Sequence, residues 1–421
     1  MSTDTRTRAS VRAGGRDRKA VAGKPPEQST FWARLESPLS TYYLLVAVVG
    51  LLLTIGLVMV LSASSVSQLR STDSSFSLFY RQAVFAGIGI VGATIASRMP
   101  VVFWRRIAVP ALLVAVVLQA LVFSPLGEDI GGNRNWLMLG GLSMQPSELG
   151  KVALVLFTAS VLATKRKLLH QTQHVLIPVL FPVGLSIIGL VLLGRDLGTG
   201  LVLIASLAGM LWVAGVSWRL FGAAAIVGGA GVAYLVTASG NRMDRIDQWL
   251  RCTDVHDCWQ SMNGKYALAD GGLWGLGLGG SREKWAYLPE AHNDFIFAII
   301  GEELGIAGTL MILALFALFA LACYRIILRS DDPFVRVATA GVMVWITFQA
   351  VVNIGSVIGL LPVIGVPLPL VSYGGSALVT TLGALGMIIS FARCEPAARK
   401  ALEAKPRMSQ RALAYAPRRR R

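Results

Sequence analysis

The segment 288–305 reads LPEAHNDFIFAIIGEELG and encloses an apolar run between acidic residues. Glu290, His292 and Asp294 come before the run, and two adjacent glutamates follow it. A charge inside hydrocarbon is costly, so ionisable residues that border a membrane-length apolar stretch are candidates for function. The segment therefore predicts a helix that enters a membrane, with a reactive site at the start of that helix.

The rest of the chain supports a membrane protein. Hydrophobic residues make up 54% of the 421 residues, charged residues only 15%, and the mean hydropathy is +0.61. A helix needs about 20 mostly apolar residues to cross the hydrocarbon core. We predict an all-α polytopic membrane protein with about ten transmembrane helices. The predicted spans are 41–63, 82–97, 107–126, 146–163, 175–193, 199–215, 220–238, 294–324, 337–358 and 372–392.

The distribution of cations predicts the orientation. With ten spans, most of the 39 Lys and Arg residues fall on the side that holds both termini, which the positive-inside rule places in the cytoplasm. The basic tails 1–40 and 394–421 are polar and poor in bulky apolar residues, so we expect them to be disordered. They flank a transmembrane domain over 41–393, whose large extracytoplasmic loop covers about 239–291, between helices 7 and 8. The net charge of +16 is mainly a topology signal and does not indicate nucleic-acid binding.

Two of the four cysteines, Cys252 and Cys258, lie in that predicted outer loop. An oxidising exterior favours a disulfide between them. Free thiols and a metal site are the alternatives, but zinc motifs usually need a second ligand pair, which this loop does not supply.

Other charged residues gather near the predicted outer face. Glu148 and Lys151 fall three residues apart on one helix face, just after Pro146. They either satisfy each other as an ion pair, or Lys151 and Arg134 face an anionic ligand while Glu148 orients one of them. Asp196 precedes the sixth span and is either a helix N-cap or part of a ligand site.

A glycine-rich stretch at 271–280 is followed by Lys284. Glycines with nearby cations suit a phosphate cradle, but a tight turn that needs glycine for packing explains them equally well. Farther on, three prolines in 362–369 exclude a regular helix and predict a folded outer loop packed over the site. Ser372 begins the small-residue start of the last span and is a further candidate for substrate binding.

Asp294 is the candidate general base. A carboxylate at the junction of a polar loop and an apolar helix is partly desolvated, which favours proton uptake. Glu290 and His292 are placed to position substrate or share a proton. Glu302 and Glu303 lie about two turns deeper and are expected to be structural polar contacts.

These motifs resemble the SEDS family (shape, elongation, division and sporulation), and the resemblance covers about 40 to 395. The chain departs from the family at Arg195, where the usual residue is proline. The motifs that carry the resemblance are Leu288–Gly305, Gln145–Glu148 with Lys151, Asp196–Thr199, and Asn353–Gly355 with Leu361–Ser376.

The resemblance implies a peptidoglycan glycosyltransferase that polymerises lipid II at the outer face of the cytoplasmic membrane. Asp294 matches the essential aspartate of the family and would deprotonate the acceptor sugar, while undecaprenyl diphosphate leaves. The segments at 290–292 and 299–303 are similar to the division-specific branch, whereas Val366–Pro369 leans toward the elongation branch. The expected location is the division septum.

The family also implies partners. These are the class B penicillin-binding protein FtsI, other division proteins and membrane lipids. A divalent cation, Mg or Mn, would suit the diphosphate leaving group. The sequence contains no clustered Asp-x-Asp motif to bind one firmly, so no residue is assigned as a metal ligand and no cofactor is expected with certainty.

Two other classes of function compete. A lipid II flippase or transporter would also carry buried acids, but transporters place them near mid-membrane in paired repeats, and this sequence has no internal repeat. A scaffold that only recruits an enzyme would not need Asp294. The collection of charges at the outer side favours chemistry on a lipid-linked substrate.

Overall fold

The computed structural model describes residues 40–72, 75–130, 132–139, 142–168, 184, 186–237, 240–250, 258–285 and 287–394. Apart from Ser40 and Cys394, the two basic tails lie outside these ranges, so their predicted disorder stays a prediction.

The described ranges are mainly helical, which confirms the predicted fold class. Several helix ends follow from local sequence. Pro146 occupies the first turn of α4, Gly215 ends α6 in the left-handed conformation, and Asp332 caps α11 by accepting a hydrogen bond from Phe334 N. The helices are α1 Ser40–Thr72, α2 Ser77–Ala96, α3 Val101–Leu121, α4 Pro146–Thr164, α5 Gly189–Leu193, α6 Leu197–Ala214, α7 Trp218–Thr237, α8 Gly240–Leu250, α9 Trp259–Asp270, α10 Ile296–Arg329, α11 Pro333–Val357 and α12 Gly375–Cys394.

Eight helices within the described ranges are long and apolar enough to cross a membrane. They correspond to eight of the ten predicted spans. Of the other two, the prediction at 220–238 coincides with α7, a helix of 20 residues. The prediction at 175–193 lies mostly outside the described residues, so the total of ten stays a prediction.

One small sheet departs from an all-helical chain. It lies between α3 and α4 and consists of three antiparallel strands in the order β1 Gly127–Ile130, β2 Asn133–Leu139 and β3 Leu142–Met144. Leu137 pairs with Gly127 on one side and with Met144 on the other. Strands this short in a loop leave no membrane-length signal, which is why the hydropathy pattern did not predict them.

The core of the bundle forms around α10 and α11. Helix α10 packs against α1 and α11, and α11 also packs against α4 and α6. Every residue from Phe295 to Glu303 is buried. The apolar run of the acidic segment thus lies in the interior of the bundle, together with Glu302 and Glu303.

Helix α10 is interrupted at Gly305, whose backbone has φ 67° and ψ −163°. The prediction for this region was one long, tilted or extended span. The described loop that follows α9, residues 271–280, packs into the interruption. The outer segment predicted at about 239–291 therefore contains two helices, α8 and α9, and a glycine loop that is bound to α10.

Candidate active site

A cavity of about 1370 Å³ opens among the ends of α4 and α6, the segment before α10, and the loop between α11 and α12. Residues 362–367 of that loop form part of its wall, which agrees with the predicted packing of the proline-rich loop over the site. Six of the nine predicted site residues line this cavity: Glu148, Lys151, Asp196, Glu290, His292 and Asp294.

Lys151 and Glu148 form a buried ion pair in the wall of the cavity. The Lys151 Nζ to Glu148 Oε1 distance is 2.8 Å, and both side chains are about 4% exposed. Lys151 Nζ also lies 4.8 Å from the centre of the Trp345 ring and 3.4 Å from Gln349 Oε1. Burial strengthens these electrostatic contacts and fixes one cation at a defined position. The sequence left two alternatives for Lys151, an ion pair with Glu148 and a cation that faces a ligand. The two roles do not exclude each other, because the ion pair itself lines the cavity.

Asp196 is the N-cap of α6, one of the two roles that the sequence allowed, since its Oδ1 accepts a hydrogen bond from Thr199 N at 2.9 Å. Its other oxygen, Oδ2, accepts from Asn135 Nδ2 at 2.8 Å and Gln145 Nε2 at 3.0 Å. These bonds join the start of α6 to β2 and to the residue before α4. Asp196 therefore ties three elements together at the cavity wall.

Arg195, the departure from the family pattern, has φ 65°. Proline cannot take this conformation because its ring fixes φ near −65°. Arg195 N also donates a hydrogen bond to Leu192 O at 3.0 Å, which proline could not do. The turn before α6 thus requires a residue other than proline in this chain, and Arg195 lines the cavity.

The segment before α10 presents Glu290, His292 and Asp294 to the cavity. Glu290 is left-handed, with φ 53°, and its carbonyl accepts hydrogen bonds from Asn293 N and Phe295 N. Asn293 lines the cavity as well, so this tight turn presents three consecutive residues, 292–294, together with Glu290. Asp294 also lies beside the proline-rich loop, since a Cβ on Gly365 would be 3.6 Å from Asp294 Oδ2.

His292 is half-buried, and its ring centre lies 5.8 Å from that of Tyr373. Burial lowers the pKa of His292, and the negative charge of Glu290 opposes that shift. Because desolvation is the larger effect, the site favours the neutral form of the His292 imidazole and the pKa lies below its usual value. In that form the ring can donate one hydrogen bond and accept another without adding charge to the cavity.

The main chain of this segment is fixed by the C-terminal part of the bundle. The three successive carbonyls of residues 292–294 each accept a hydrogen bond, in order from Tyr373 N at 3.0 Å, Ser372 Oγ at 2.7 Å and Asn353 Nδ2 at 2.9 Å. Asn353 Nδ2 also donates to Val366 O at 2.8 Å. We call this set of hydrogen bonds the carbonyl clamp.

Three predicted substrate-binding residues have other partners. Ser372 is buried in the carbonyl clamp, where its Oγ also accepts from Leu368 N at 2.8 Å. It is not among the residues that line the cavity. Both hydrogen bonds of the hydroxyl go to the main chain, so the structure does not bring Ser372 together with the other predicted site residues.

Arg134 is the second of these three residues. Its side chain donates to the carbonyls of Val122 and Ser124, each at 3.1 Å, at the end of α3. A cation is favourable at a helix C-terminus, where carbonyl groups lack helical partners. Asn133, Asn135 and Trp136 line the cavity but Arg134 does not, because its guanidinium group is bound to the carbonyls at the end of α3.

Lys284 is the third of these three residues. Its Nζ lies 2.6 Å from Gly279 O and 3.3 Å from Glu303 Oε1, and the residue is 6% exposed. Ser62 Oγ donates to the same carboxylate of Glu303. Glu302 accepts from Ser281 Oγ at 2.5 Å and Arg282 N at 2.6 Å. Both glutamates, with Lys284, join α10 to the preceding loop instead of lining the cavity.

Sequence reasoning did not assign a role to the neutral polar residues of the site. Asn135, Gln145 and Gln349 line the cavity, and Asn353 belongs to the carbonyl clamp. One signal was available: Gln349 and Asn353 are four residues apart within an apolar span and so share one helix face. Polar residues in a membrane span usually face the bundle interior.

The outer cysteines are described in part. Cys258 is disulfide-bonded, whereas Cys323 and Cys394 are free. Cys252, the predicted partner of Cys258, lies outside the described residues. Among the residues that the structure does describe, no group of three or more His, Cys, Asp or Glu side chains is placed to hold a metal ion. We therefore derive no reaction step through a metal.

The fold and the cavity define a polytopic helical membrane protein. The cavity at one end of its bundle is lined by ionisable, neutral polar and apolar residues. The chain belongs to the FtsW/RodA/SpoVE family of cell cycle proteins, because the family model matches residues 42–396.

Two curated relatives illustrate the family. The chain is 42% identical over 395 residues to the probable peptidoglycan glycosyltransferase FtsW of Mycobacterium tuberculosis, covering 93% of this chain and 75% of the relative. It is 37% identical to the stage V sporulation protein E of Bacillus subtilis, covering 83% of this chain and 96% of the relative.

Solved structures agree with the fold. One is a chain from a peptidoglycan synthase complex that coordinates polymerisation and crosslinking, with a TM-score of 0.67 and 27% identity, covering 86% of this chain and 99% of that one. Another is the rod shape determining protein RodA of Thermus thermophilus, with a TM-score of 0.63 and 29% identity, covering 84% of this chain and 96% of that one.

Proposed function

We propose that this protein is a peptidoglycan glycosyltransferase that polymerises lipid II into glycan strands at the outer face of the cytoplasmic membrane. The relatives named FtsW support the division role over the elongation role. The observation that carries the proposal is the cavity, which brings Asp294 and the buried cation Lys151 to one enclosed surface at the end of the bundle. Transfer of a glycan from a lipid diphosphate is promoted by a base that takes the proton of the acceptor hydroxyl and by a cation near the leaving diphosphate.

Asp294 acts as the general base in the proposed reaction. Its carboxylate takes the proton of the 4-hydroxyl of the acceptor N-acetylglucosamine, and that oxygen attacks the anomeric carbon of the donor glycan. The bond from the anomeric carbon to the diphosphate oxygen breaks, and undecaprenyl diphosphate leaves. Attack opposite the leaving group inverts the anomeric centre.

Lys151 is the cation proposed to face the charge that develops on the leaving diphosphate. Its contacts with Glu148 and the Trp345 ring hold it in place before substrate arrives. A group fixed in advance needs no reorganisation during the reaction. Glu290 and His292 are proposed to bind hydroxyl and amide groups of the sugars, and Asp196 supports the opposite wall.

The proposed partner is the class B penicillin-binding protein FtsI, whose transpeptidase would crosslink the new strand at the septum. The support for such a partner is the similar chain of known structure, which belongs to a peptidoglycan synthase complex that coordinates polymerisation and crosslinking. A divalent cation is kept as a candidate helper of the leaving group, without assigned ligands.

The test is polymerisation of labelled lipid II by detergent-purified protein, with and without the partner. Asp294→Asn is expected to lower the rate by roughly 10²–10⁴-fold, the range that a general base contributes. The matched control is Asp129→Asn, which changes an exposed aspartate of β1. Polymerisation by Asp294→Asn at the control's rate rules out the assignment. Lipid translocation in proteoliposomes without polymer would indicate a flippase instead.

A further inference from the structure

The glycine loop, residues 271–280, is apolar and exposed. It reads GGLWGLGLGG and contains no charged residue. Trp274 is 84% exposed, and the three leucines at 273, 276 and 278 are also exposed. In a loop surrounded only by water, four large exposed apolar side chains within six residues would be unfavourable. Contiguous exposed apolar surface of this kind indicates contact with a membrane or a protein.

The depth of the loop follows from α10. The helical stretch from Ile306 to Arg329 is about 35 Å long at 1.5 Å per residue, and a hydrocarbon core is about 30 Å thick. Arg325 and Arg329 mark its cytoplasmic end, so Ile306 lies near the outer hydrocarbon boundary. Exposure on α10 also changes there: Phe295 to Glu303 are buried, whereas Ile306 and Leu310 are exposed.

The loop is bound to α10 at that level. Ile306 N donates to Gly272 O at 2.9 Å, and Ala307 N is 3.5 Å from Leu273 O. In the other direction, two amides of the loop, at 276 and 277, donate to the carbonyls of Glu302 and Glu303. The exposed side chains of the loop are therefore continuous with the lipid-facing surface of α10.

The hydrogen bonds satisfy part of the loop backbone. The loop and the interrupted helix pair the groups named above, and Lys284 Nζ binds the carbonyl of Gly279. Backbone groups without partners cost several kcal/mol each in hydrocarbon, so the loop suits the headgroup boundary, where water reaches the remaining groups, better than the centre of the bilayer. The charged residues on either side of the loop, Asp270 and Arg282, are exposed and can stay in water.

We propose that residues 271–280 insert into the outer leaflet of the bilayer, at the boundary between headgroups and acyl chains. Tryptophan favours this boundary because its ring is apolar and its N–H is polar. The occupant is lipid rather than protein, since the patch continues the lipid-facing surface of α10 and has no charge to pair with a partner. The insertion fixes the height of α10, and with it Asp294, relative to the surface from which a lipid-linked substrate enters; this consequence rests on the proposed function.

The test uses the purified full-length chain in nanodiscs made of phosphatidylglycerol and phosphatidylcholine, without any partner. One nanodisc sample contains phosphatidylcholine brominated near the headgroup end of its acyl chain, which quenches tryptophan on contact. The emission of Trp274 is taken as the difference between wild type and Trp274→Phe. Trp249→Phe is the matched control, because Trp249 is an outer tryptophan whose indole N–H donates to Gly359 O.

The Trp274 emission is expected to fall by roughly half or more in brominated lipid, as for an interfacial tryptophan, and to resist quenching by iodide in the water. Quenching by iodide without quenching by brominated lipid would mean a loop in water and would overturn the proposal. Resistance to both quenchers would mean that protein covers the loop, for example a second copy of the chain, and would overturn it as well. Thermal unfolding of each variant checks that it is folded. The quenching measurements do not depend on enzyme activity, so their outcome is separate from the outcome of the Asp294 polymerisation test.

Discussion

At the scale of single residues, the proposed base is positioned by its main chain. The carbonyl clamp binds the carbonyls of residues 292–294 from three different donors, and the donor nearest to Asp294 is Asn353. Asn353 lies on α11, 59 residues away in sequence, and also binds the proline-rich loop through Val366 O. One amide group thus holds the main chain of Asp294 next to the proline-rich loop, which forms part of the cavity wall.

We predict that Asn353→Ala lowers kcat for polymerisation by about 10- to 100-fold with a smaller change in KM, since a misplacement of about 1 Å can cost that much in rate. Asn353→Asp keeps the shape of the side chain but removes the amide donor, and should behave like the alanine variant. The measurement is a steady-state rate series in lipid II concentration.

Ser356→Ala is the control for that series. It removes a buried hydroxyl from the same helix, whose only described hydrogen bond goes to Asn353 O at 2.7 Å, and it leaves the amide in place. If Ser356→Ala slows the reaction as much as Asn353→Ala, the effect comes from general loosening of α11 and not from the clamp.

Part of the site could be predicted from residue types. Asp294, Glu290 and His292 stand out because they are ionisable and border an apolar run. The structure does not bring Arg134 and Lys284 to the cavity, because a cation has several uses in a protein. A helix C-terminus or a buried carboxylate satisfies it as well as a substrate does, and only the fold decides between them.

At the scale of elements, the interruption of α10 depends on glycine. Gly305 has φ 67° and ψ −163°, a region essentially restricted to glycine. A Cβ at this position would lie 2.5 Å from Gly275 N, so a side chain would also push the glycine loop away. The close approach of two backbones is what allows the loop to replace the missing helical hydrogen bonds.

We expect Gly305→Ala to destabilise the protein by about 2 kcal/mol or more, from backbone strain and from the loss of the loop contact. Thermal unfolding in detergent measures the effect. Gly50→Ala is the matched control, since a Cβ on this residue of α1 has no neighbour within 4 Å, and alanine is the better helix former. An unchanged melting temperature for Gly305→Ala would mean that the interruption is not strained as described.

The segment after the glycine loop carries a pH-sensitive group. Burial, together with the charges of Glu302 and Asp270, raises the pKa of Glu283 to about 7. A raised carboxyl pKa means that the folded state holds its proton more tightly than the unfolded state, so stability is lost as pH rises from about 4.5 to about 7.

Glu283→Gln removes this loss. We predict equal melting temperatures for the variant and the wild type near pH 4.5, and a higher melting temperature for the variant at pH 8. The measurement is a thermal unfolding series across that range. A constant difference between the two proteins at every pH would show that the titration of Glu283 does not contribute.

At the scale of the whole molecule, hydropathy predicted the class and most of the spans. Eight predicted spans are helices of membrane length, because an apolar run of about 20 residues has few alternatives in a bilayer. The three-stranded sheet and the interruption of α10 could not be predicted in this way. Both depend on hydrogen bonds between backbone groups, which hydropathy does not record.

The residues that form the cavity are far apart along the chain, which also limits prediction of the site from sequence. Cavity residues come from segments as far apart as Ser77 and Ala377. The local pattern around residues 288–305 indicates where the reactive groups are, but not which distant residues complete the cavity. The family resemblance supplied some of these segments, including the one that contains Asn353, without giving the role of each residue.

The carbonyl clamp has a consequence for biosynthesis. Its donors lie at residues 353, 372 and 373, behind the acidic segment in the order of translation. A nascent chain that has inserted α10 but not yet α11 already exposes Asp294 without any of the clamp donors. The proposed active centre is therefore complete only after α11 and the loop that follows it have been made. A product that ends before residue 353 would lack all three donors, even with most of its spans in place.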